Sequence, residues 1–455
     1  MSKPVPNMPI PNMVVPPPGP KSAEILAAQE KILFRGLSAS QAEAPFVTSR
    51  KWDHAIEDVD GNVYLNLAIA SGSMPLGTEP EGVIEPTIEA LTAFGNECPG
   101  FLAHRHMAPL AEKLIEISPP NITRAEPALN GTEAIETALK MMRRATGRPM
   151  ILGFFGQYHG ETTATVGAGA QMSDVARGQR QLNPGFVHVP YPDPYRTPFG
   201  APRPGGTGDA VVDFIRDHVL FHQVEPSQIA GVLIEPIVGA GGVVIPSDSF
   251  WPALVEMCEE FGWLLCADEV KAGMGRTGKM FAFEHWDVEP DLICLGKAMG
   301  GGIQPIGAVL GTEKVMGTFD DVSTGSTWSW NPAACVAAVG AIDRYVELLP
   351  RIRELETIGH EMLDPLLDRY EVVGDVRLKG VYWAVEFVKD RETRERWPEF
   401  QRRFEHHTMN RGLVAQTGES TYKMLPPYII TDEALRRGCE LIEESIVAAL
   451  AEVTA

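Results

Sequence analysis

Two apolar runs interrupt the polar background most sharply, Trp263–Ala267 and Leu292–Leu295. Each is short, bounded by turn residues and too uniformly apolar to alternate. That is the pattern of a strand buried on both faces in a parallel sheet. Ala125–Leu129, Met150–Phe155, Ile229–Ile234 and Pro305–Leu310 read as further strands. Helices are expected over Glu85–Phe94, Ala108–Ile117, Ala134–Arg144 and within Pro246–Phe261. In the first two, Pro86 and Pro109 fall in the first turn, where proline is tolerated. Upstream, Ser22–Arg35 reads as a helix capped by Ser22, and Trp52–Leu67 as a hairpin turning at Asp60-Gly61-Asn62. Leu76–Gly82 and the Pro/Gly-rich Pro190–Gly206 read as loops.

The character changes after Ala333. Helices are expected over Ala334–Leu348 and Ile352–Tyr370. Two strands follow around Lys379-Gly380 within Glu371–Lys389, two more lie in Gly412–Ile430, and a helix capped by Thr431 covers Asp432–Leu450. The expectation is an α/β chain in four parts. Residues 1–20 form a flexible Pro-rich arm, 21–70 a segment joining the small domain, 71–332 a large domain, and 333–455 a smaller α+β domain.

Composition narrows the function without naming it. A chain of 455 residues can bury a large core. Its net charge of −21 argues against nucleic acid or an anionic membrane as partner. No apolar run is long enough to span a bilayer, and the start lacks the basic-then-apolar pattern of a secretory leader, so a cytoplasmic protein is expected. The 6 cysteines are scattered without metal or disulfide spacing and read as reduced thiols. His104/His106 and His406/His407 lack an accompanying Cys or acid cluster, so no metal site is expected.

Candidate chemistry gathers where the strands end. Asp268 and Glu269 close one buried run, and Lys297 follows the other after a single glycine. Ligands of open parallel sheets bind at the carboxyl ends of the strands. From spacing alone, the acid and the lysine fit a structural ion pair as well as a reactive site. Gly273–Gly278 matches the glycine pattern of dinucleotide folds, but no long amphipathic helix follows it. The same stretch resembles a P-loop, except that Met280 stands where a Ser or Thr should hold magnesium. Asn130-Gly131-Thr132-Glu133 opens a helix and suits either an ordinary cap and capping box or an anion site.

The ordered set Asn130-Gly131-Thr132-Glu133-Ala134, Tyr158-His159-Gly160, Ile234-Glu235-Pro236, Asp268-Glu269-Val270 and Leu295-Gly296-Lys297 resembles the class III aminotransferases, from about Ser22 to the last helix. The resemblance implies fold type I: a large domain with a mostly parallel seven-stranded sheet, a smaller α+β domain, and a homodimer with sites at the interface. It implies pyridoxal 5′-phosphate as cofactor, with Lys297 forming the Schiff base and Asp268 against the pyridine nitrogen. Val270 and Tyr158 would flank the ring, Gly131 and Thr132 would hold the phosphate, and Thr327 would reach the neighbouring subunit's phosphate. Glu235, Trp328 and Lys423 fall in the substrate pocket by the same comparison.

Two departures matter. Lys271 replaces the glutamine that usually reaches the ring hydroxyl. Lys423 replaces an arginine that grips the substrate carboxylate, and a lysine offers a point charge instead of a bidentate fork. The expected activity is transfer of an amino group from an amine or amino acid to a keto acid by a ping-pong route. The alternative is an amino acid or lactam racemase or epimerase of the same family, in which Tyr158 returns the α-proton.

Overall fold

The computed structural model describes residues 9–34, 44–97, 100, 102–170, 185–199, 209–319, 324–418 and 420–453. It divides into two compact units, one of Met1–Pro80 with Pro350–Ala455 and one of Glu81–Leu349.

The second unit is built on a 7-stranded sheet. Its strands run in the order Arg124–Ala128, Gly307–Gly311, Leu292–Leu295, Leu264–Asp268, Ile229–Ile234, Met150–Phe154 and Phe186–Val189. The last five pair in parallel, whereas Gly307–Gly311 runs antiparallel to both of its neighbours. Every residue of Ile229–Ile234, Leu264–Asp268 and Leu292–Leu295 is buried, which is why these strands carry no alternation.

The helix Gly131–Thr146 packs on this sheet through Ala134, Ile135, Ala138, Leu139 and Met142. Asn130 caps its start by accepting from Glu133 N at 3.0 Å, and Gly147 ends it in the left-handed conformation at φ 68. Glu133 does not close the expected box. Its Oε2 accepts from Leu129 N at 2.7 Å, tying the preceding strand to the helix start. Gly231 lets helix and sheet meet closely, since a Cβ there would lie 2.1 Å from Leu264 O and 2.5 Å from Met142 Cε.

The first unit holds two 4-stranded sheets. Thr48–Trp52, Ala55–Asp58 and Val63–Asn66 form a meander joined in parallel by Leu413–Val414, with Leu413 opposite Leu65. Val373–Lys379 and Tyr382–Asp390 form the second hairpin, and Thr421–Met424 pairs with Tyr382–Asp390.

Two local expectations are corrected. The first helix spans Pro20–Glu30, and Ser22 does not cap it. Asp60 does so from a distance, accepting from Lys21 N and Ser22 N at 2.8 Å each, while the buried Ser22 hydroxyl accepts from Val47 N. A side chain 38 residues away thus supplies what the local sequence seemed to offer. Further on, Pro350 does not break the chain into two helices, because Pro332–Leu363 is continuous with Pro350 inside it. An internal proline costs about 3 kcal/mol. Fully buried Ile342 and Tyr345 before it, and Ile352 and Leu355 after it, carry the helix through.

Candidate active site

Four strand ends and one helix start build the site, all within Glu81–Leu349. Strand Leu264–Asp268 delivers Asp268, which is 3% exposed. Asp268 Oδ2 lies 2.6 Å from His159 Nδ1, and Oδ1 accepts from Val270 N at 3.0 Å. His159 Nε2 in turn lies 3.2 Å from Gln157 Oε1. Gln157 and His159 are both buried, so the aspartate is oriented from behind by a short relay of side chains. An equivalent shell around metal ligands fixes ring orientation, and the same logic holds for a carboxylate.

Lys297 follows strand Leu292–Leu295 through Gly296 and opens a short 3₁₀ turn. Its φ of +42 is a strained value for a residue with a Cβ, and such strain gathers at functional sites. Burial of its amine pushes the pKa down; the Asp268 and Glu235 carboxylates oppose that shift, and the Arg276 guanidinium adds to it. A lysine biased toward the neutral amine is a nucleophile for aldehydes. The amine stands over the face of the Tyr158 ring, 6.0 Å from its centroid.

Tyr158 comes from the turn after strand Met150–Phe154. Its backbone N–H donates to Glu235 Oε1 at 2.8 Å, and Glu235 Oε2 accepts from Gly239 N at 2.9 Å. Glu235 therefore holds two loops together, and burial with the nearby Asp268 charge pushes its pKa up. The pKa of the Tyr158 hydroxyl is pushed up to about 12, chiefly by burial and then by the charge of Glu161.

The helix start is the candidate anion cup. Glu133 N is taken by Asn130, and Ala134 N bonds Asn130 O. Gly131 and Thr132 N–H take no partner among the described residues, at the positive end of a 16-residue helix. Three glycines let neighbouring groups approach the site closely. A Cβ on Gly131 would lie 2.5 Å from Val270 Cγ1, one on Gly160 2.5 Å from Thr132 Oγ1, and one on Gly296 2.7 Å from Gly131 N. The free N–H pair, the Asp268 carboxylate and the Lys297 amine match the phosphate, the ring nitrogen and the aldehyde of pyridoxal 5′-phosphate. The residues present fit the group.

Gly131, Thr132, Tyr158, Glu235, Asp268, Val270 and Lys297 thus converge. Half-buried Lys271 follows Val270, and Thr327 and Trp328 sit exposed on a turn of the same unit. Lys423 belongs to the other unit, where it is buried on Thr421–Met424. The sequence pattern did not single out Gln157, His159 or Glu161 as site residues. A Tyr-His pair is ordinary in cores, and only the three-dimensional contact with Asp268 distinguishes it.

Sheet order, strand-end lysine and glycine cup together define a pyridoxal-phosphate enzyme of fold type I. Residues 37–446 match the description "Aminotransferase class-III". The chain is 31% identical over 445 residues to an alanine/serine racemase of Pyrococcus horikoshii, spanning 95% of this chain and 92% of that protein. It is 30% identical to a 4-aminobutyrate aminotransferase of Mycobacterium leprae, spanning 93% and 95%. Among solved structures it resembles a taurine:2-oxoglutarate aminotransferase from Bifidobacterium kashiwanohense in complex with PLP and glutamate. That likeness has a TM-score of 0.81 and 27% identity, over 89% of this chain and 92% of that one. The chain belongs to the class III aminotransferase family, and its cofactor is pyridoxal 5′-phosphate.

Proposed function

We propose that this aminotransferase works by a ping-pong exchange in which Lys297 bonds the cofactor at rest and moves the substrate's α-proton once released. The observation that carries this reading is the meeting of a lysine amine of depressed pKa with an aspartate held by His159. When bound, the cofactor draws electrons from the substrate carbon next to the nitrogen. Asp268 would keep the ring nitrogen protonated, since a nearby carboxylate favours the charged form of its partner. The Gly131 and Thr132 N–H groups would hold the phosphate, with the helix dipole adding to their attraction. Tyr158 and Val270 would flank the ring, and aromatic stacking would contribute on the order of 1 kcal/mol beyond area burial. The Lys297 amine, biased toward the neutral form by its burial, would take the α-proton and return it.

By the family resemblance, Lys423 is the candidate for the substrate carboxylate, and Glu235 is the acid that would pair with it when none is bound. The amine and keto acid pass through the same pocket in turn. We also infer a homodimer in a reducing, cytoplasmic setting. Ile88, Leu91 and Trp328 are 53%, 45% and 57% exposed, and Leu91 and Trp328 line a cavity of about 510 Å³ with Leu129 and Pro305. An apolar face of this kind suits a second copy. The described cysteines Cys258, Cys266, Cys294, Cys335 and Cys439 are free, buried thiols.

Racemisation is the second reading, favoured by the racemase relative and by Tyr158 beside the Lys297 amine. A phenol pushed up to about 12 is poorly suited to take a proton near neutrality, which supports transamination. The test supplies one enantiomer of several amino acids without keto acid. One equivalent of keto product per site, with turnover only after a keto acid is added, is expected. Catalytic loss of optical activity without keto acid would overturn the reading.

A further inference from the structure

Four consecutive residues, Ile69, Ala70, Ser71 and Gly72, have positive φ, at 38, 50, 58 and 86. The left-handed region is costly for a residue with a Cβ, and a run of three persists only where the surroundings impose it. Asn66 Oδ1 holds the approach to this turn, accepting from Ala68 N at 3.1 Å and from Ile69 N at 3.0 Å. Ile69 is buried, whereas Ala70 and Ser71 are exposed. The strained turn therefore holds the Ser71 hydroxyl outward, where it accepts from Gln416 Nε2 at 2.8 Å. We propose that Gln416, aimed by Ser71, is a second donor to the substrate carboxylate and sets specificity for it alongside Lys423. The proposal rests on the reading of Lys423 as the cation for that carboxylate and adds to it the residue that makes a lysine sufficient there.

Ser71, Gln416 and Lys423 all lie in the unit of Met1–Pro80 with Pro350–Ala455. Gln416 and Lys423 exchange both backbone hydrogen bonds, Gln416 N to Lys423 O at 2.9 Å and Lys423 N to Gln416 O at 2.8 Å. Residues paired in this way stand directly opposite each other, so their side chains leave the same face, about 5 Å apart at Cβ. The Lys423 amine stays by its own hairpin, since a Cβ on the exposed Gly418 would lie 3.6 Å from Nζ. The turn and the hairpin are also joined through backbone. Leu67 N donates to Val414 O, and Leu425 N donates to Leu67 O, both at 2.7 Å. The chain entering the strained turn is thus bonded to both arms of the hairpin that carries Gln416 and Lys423.

A carboxylate presents two oxygens. An arginine meets both with its planar fork, whereas a lysine supplies a single point charge. A side-chain amide next to the lysine gives the second oxygen a donor of its own. The Gln416 amide nitrogen carries two N–H bonds in one plane. Donating one of them to Ser71 fixes that plane and with it the direction of the other. Gln416 is neutral, so it adds a donor without a second charge to desolvate. Ser71 acts only through Gln416 and is a positioning residue.

The test loads the enzyme with pyridoxamine 5′-phosphate and follows the return of yellow absorbance in single turnovers with pyruvate and with acetaldehyde. Acetaldehyde has hydrogen where pyruvate has its carboxylate, so the ratio of the two second-order rate constants reads the carboxylate grip, whichever amine the enzyme takes. A hydrogen bond to a charged group is worth about one to two orders of magnitude in an equilibrium constant. The pyruvate-to-acetaldehyde ratio should therefore fall at least about tenfold in Gln416→Ala, and further in Gln416→Glu, where a like charge meets the carboxylate. Gln416→Met, which keeps the length without the amide, replaces Gln416→Ala if melting shows that variant unfolded. Ser71→Ala should lower the ratio less, and should lower it no further when added to Gln416→Ala. In a Lys423→Arg background, where the fork meets both oxygens, Gln416→Ala should cost less than about threefold. A wild-type ratio near one, an unchanged ratio in the Gln416 variants, or an equal fall in the Lys423→Arg background would overturn the proposal. Additive losses from Ser71→Ala and Gln416→Ala would overturn the positioning role of Ser71. Failure of the reading of Lys423 is distinct, since Lys423→Met would then leave the ratio at its wild-type value.

Discussion

Gly131→Ala is the sharpest structural test of the cofactor cup. The added Cβ would stand 2.5 Å from Val270 Cγ1 and 2.8 Å from its Cγ2, where an ordinary carbon contact is about 3.5–4.0 Å. About 1 Å of separation must therefore be found. Val270 cannot rotate away cheaply, being β-branched, and its N–H is bonded to Asp268. Nor can the helix start shift toward Gly296, where backbone already meets backbone. Overpacking of this kind costs about 1–3 kcal/mol, and the displaced groups are the proposed cofactor contacts. Binding of pyridoxal 5′-phosphate to the apoprotein should weaken about 10- to 100-fold, since each 1.4 kcal/mol is a factor of ten. Absorbance titration measures this, with Gly100→Ala as control because a Cβ there meets nothing within 4 Å. Affinity and melting temperature unchanged from wild type in Gly131→Ala would refute the packing argument.

Three further outcomes follow from the same contacts. Asp268→Asn should retain cofactor but lose activity by orders of magnitude, and near-normal turnover in steady-state assays would show that Asp268 does not govern the ring nitrogen. Burial pushes the Glu269 carboxyl up to about 8 from an ordinary 4.5, so the folded state holds its proton longer than the unfolded state. Its contribution to stability is therefore complete below pH 4.5 and is lost as pH rises toward 8, by about 1.4 kcal/mol for each unit crossed. Glu269→Gln should flatten the fall of melting temperature over that window, and an unaltered slope would place the pH dependence elsewhere. Lys423→Met should raise KM for carboxylate substrates more than for simple amines, whereas equal effects on both would remove Lys423 from the substrate site.

Much of this arrangement was legible in the residues. The buried strands announced themselves as uniform apolar runs. The residues that end them, Asp268 and Lys297, stood out as charges at strand ends, but spacing alone fitted an ion pair equally well, and their roles came from the family resemblance. Asn130 was legible as a cap because capping is local. What escaped was long-range. Asp60 caps a helix from 38 residues away, which no local pattern reveals. Pro350 continues a helix because buried neighbours on both sides outweigh the missing N–H. His159 and Gln157 acquire their role only when strands Met150–Phe154 and Leu264–Asp268 are brought to the same edge of the sheet. The strain at Lys297 is a backbone property with no sequence signature apart from the glycine before it.

The claim on which everything else depends is that Lys297 is the residue that bonds the cofactor. Reduction of the yellow holoenzyme with borohydride, followed by proteolysis and mass spectrometry, tests it directly. The account predicts that cofactor is fixed to the peptide bearing Lys297, and that Lys297→Ala binds cofactor without covalent capture. Cofactor fixed to Lys271 or another lysine, or none fixed at all, would contradict it.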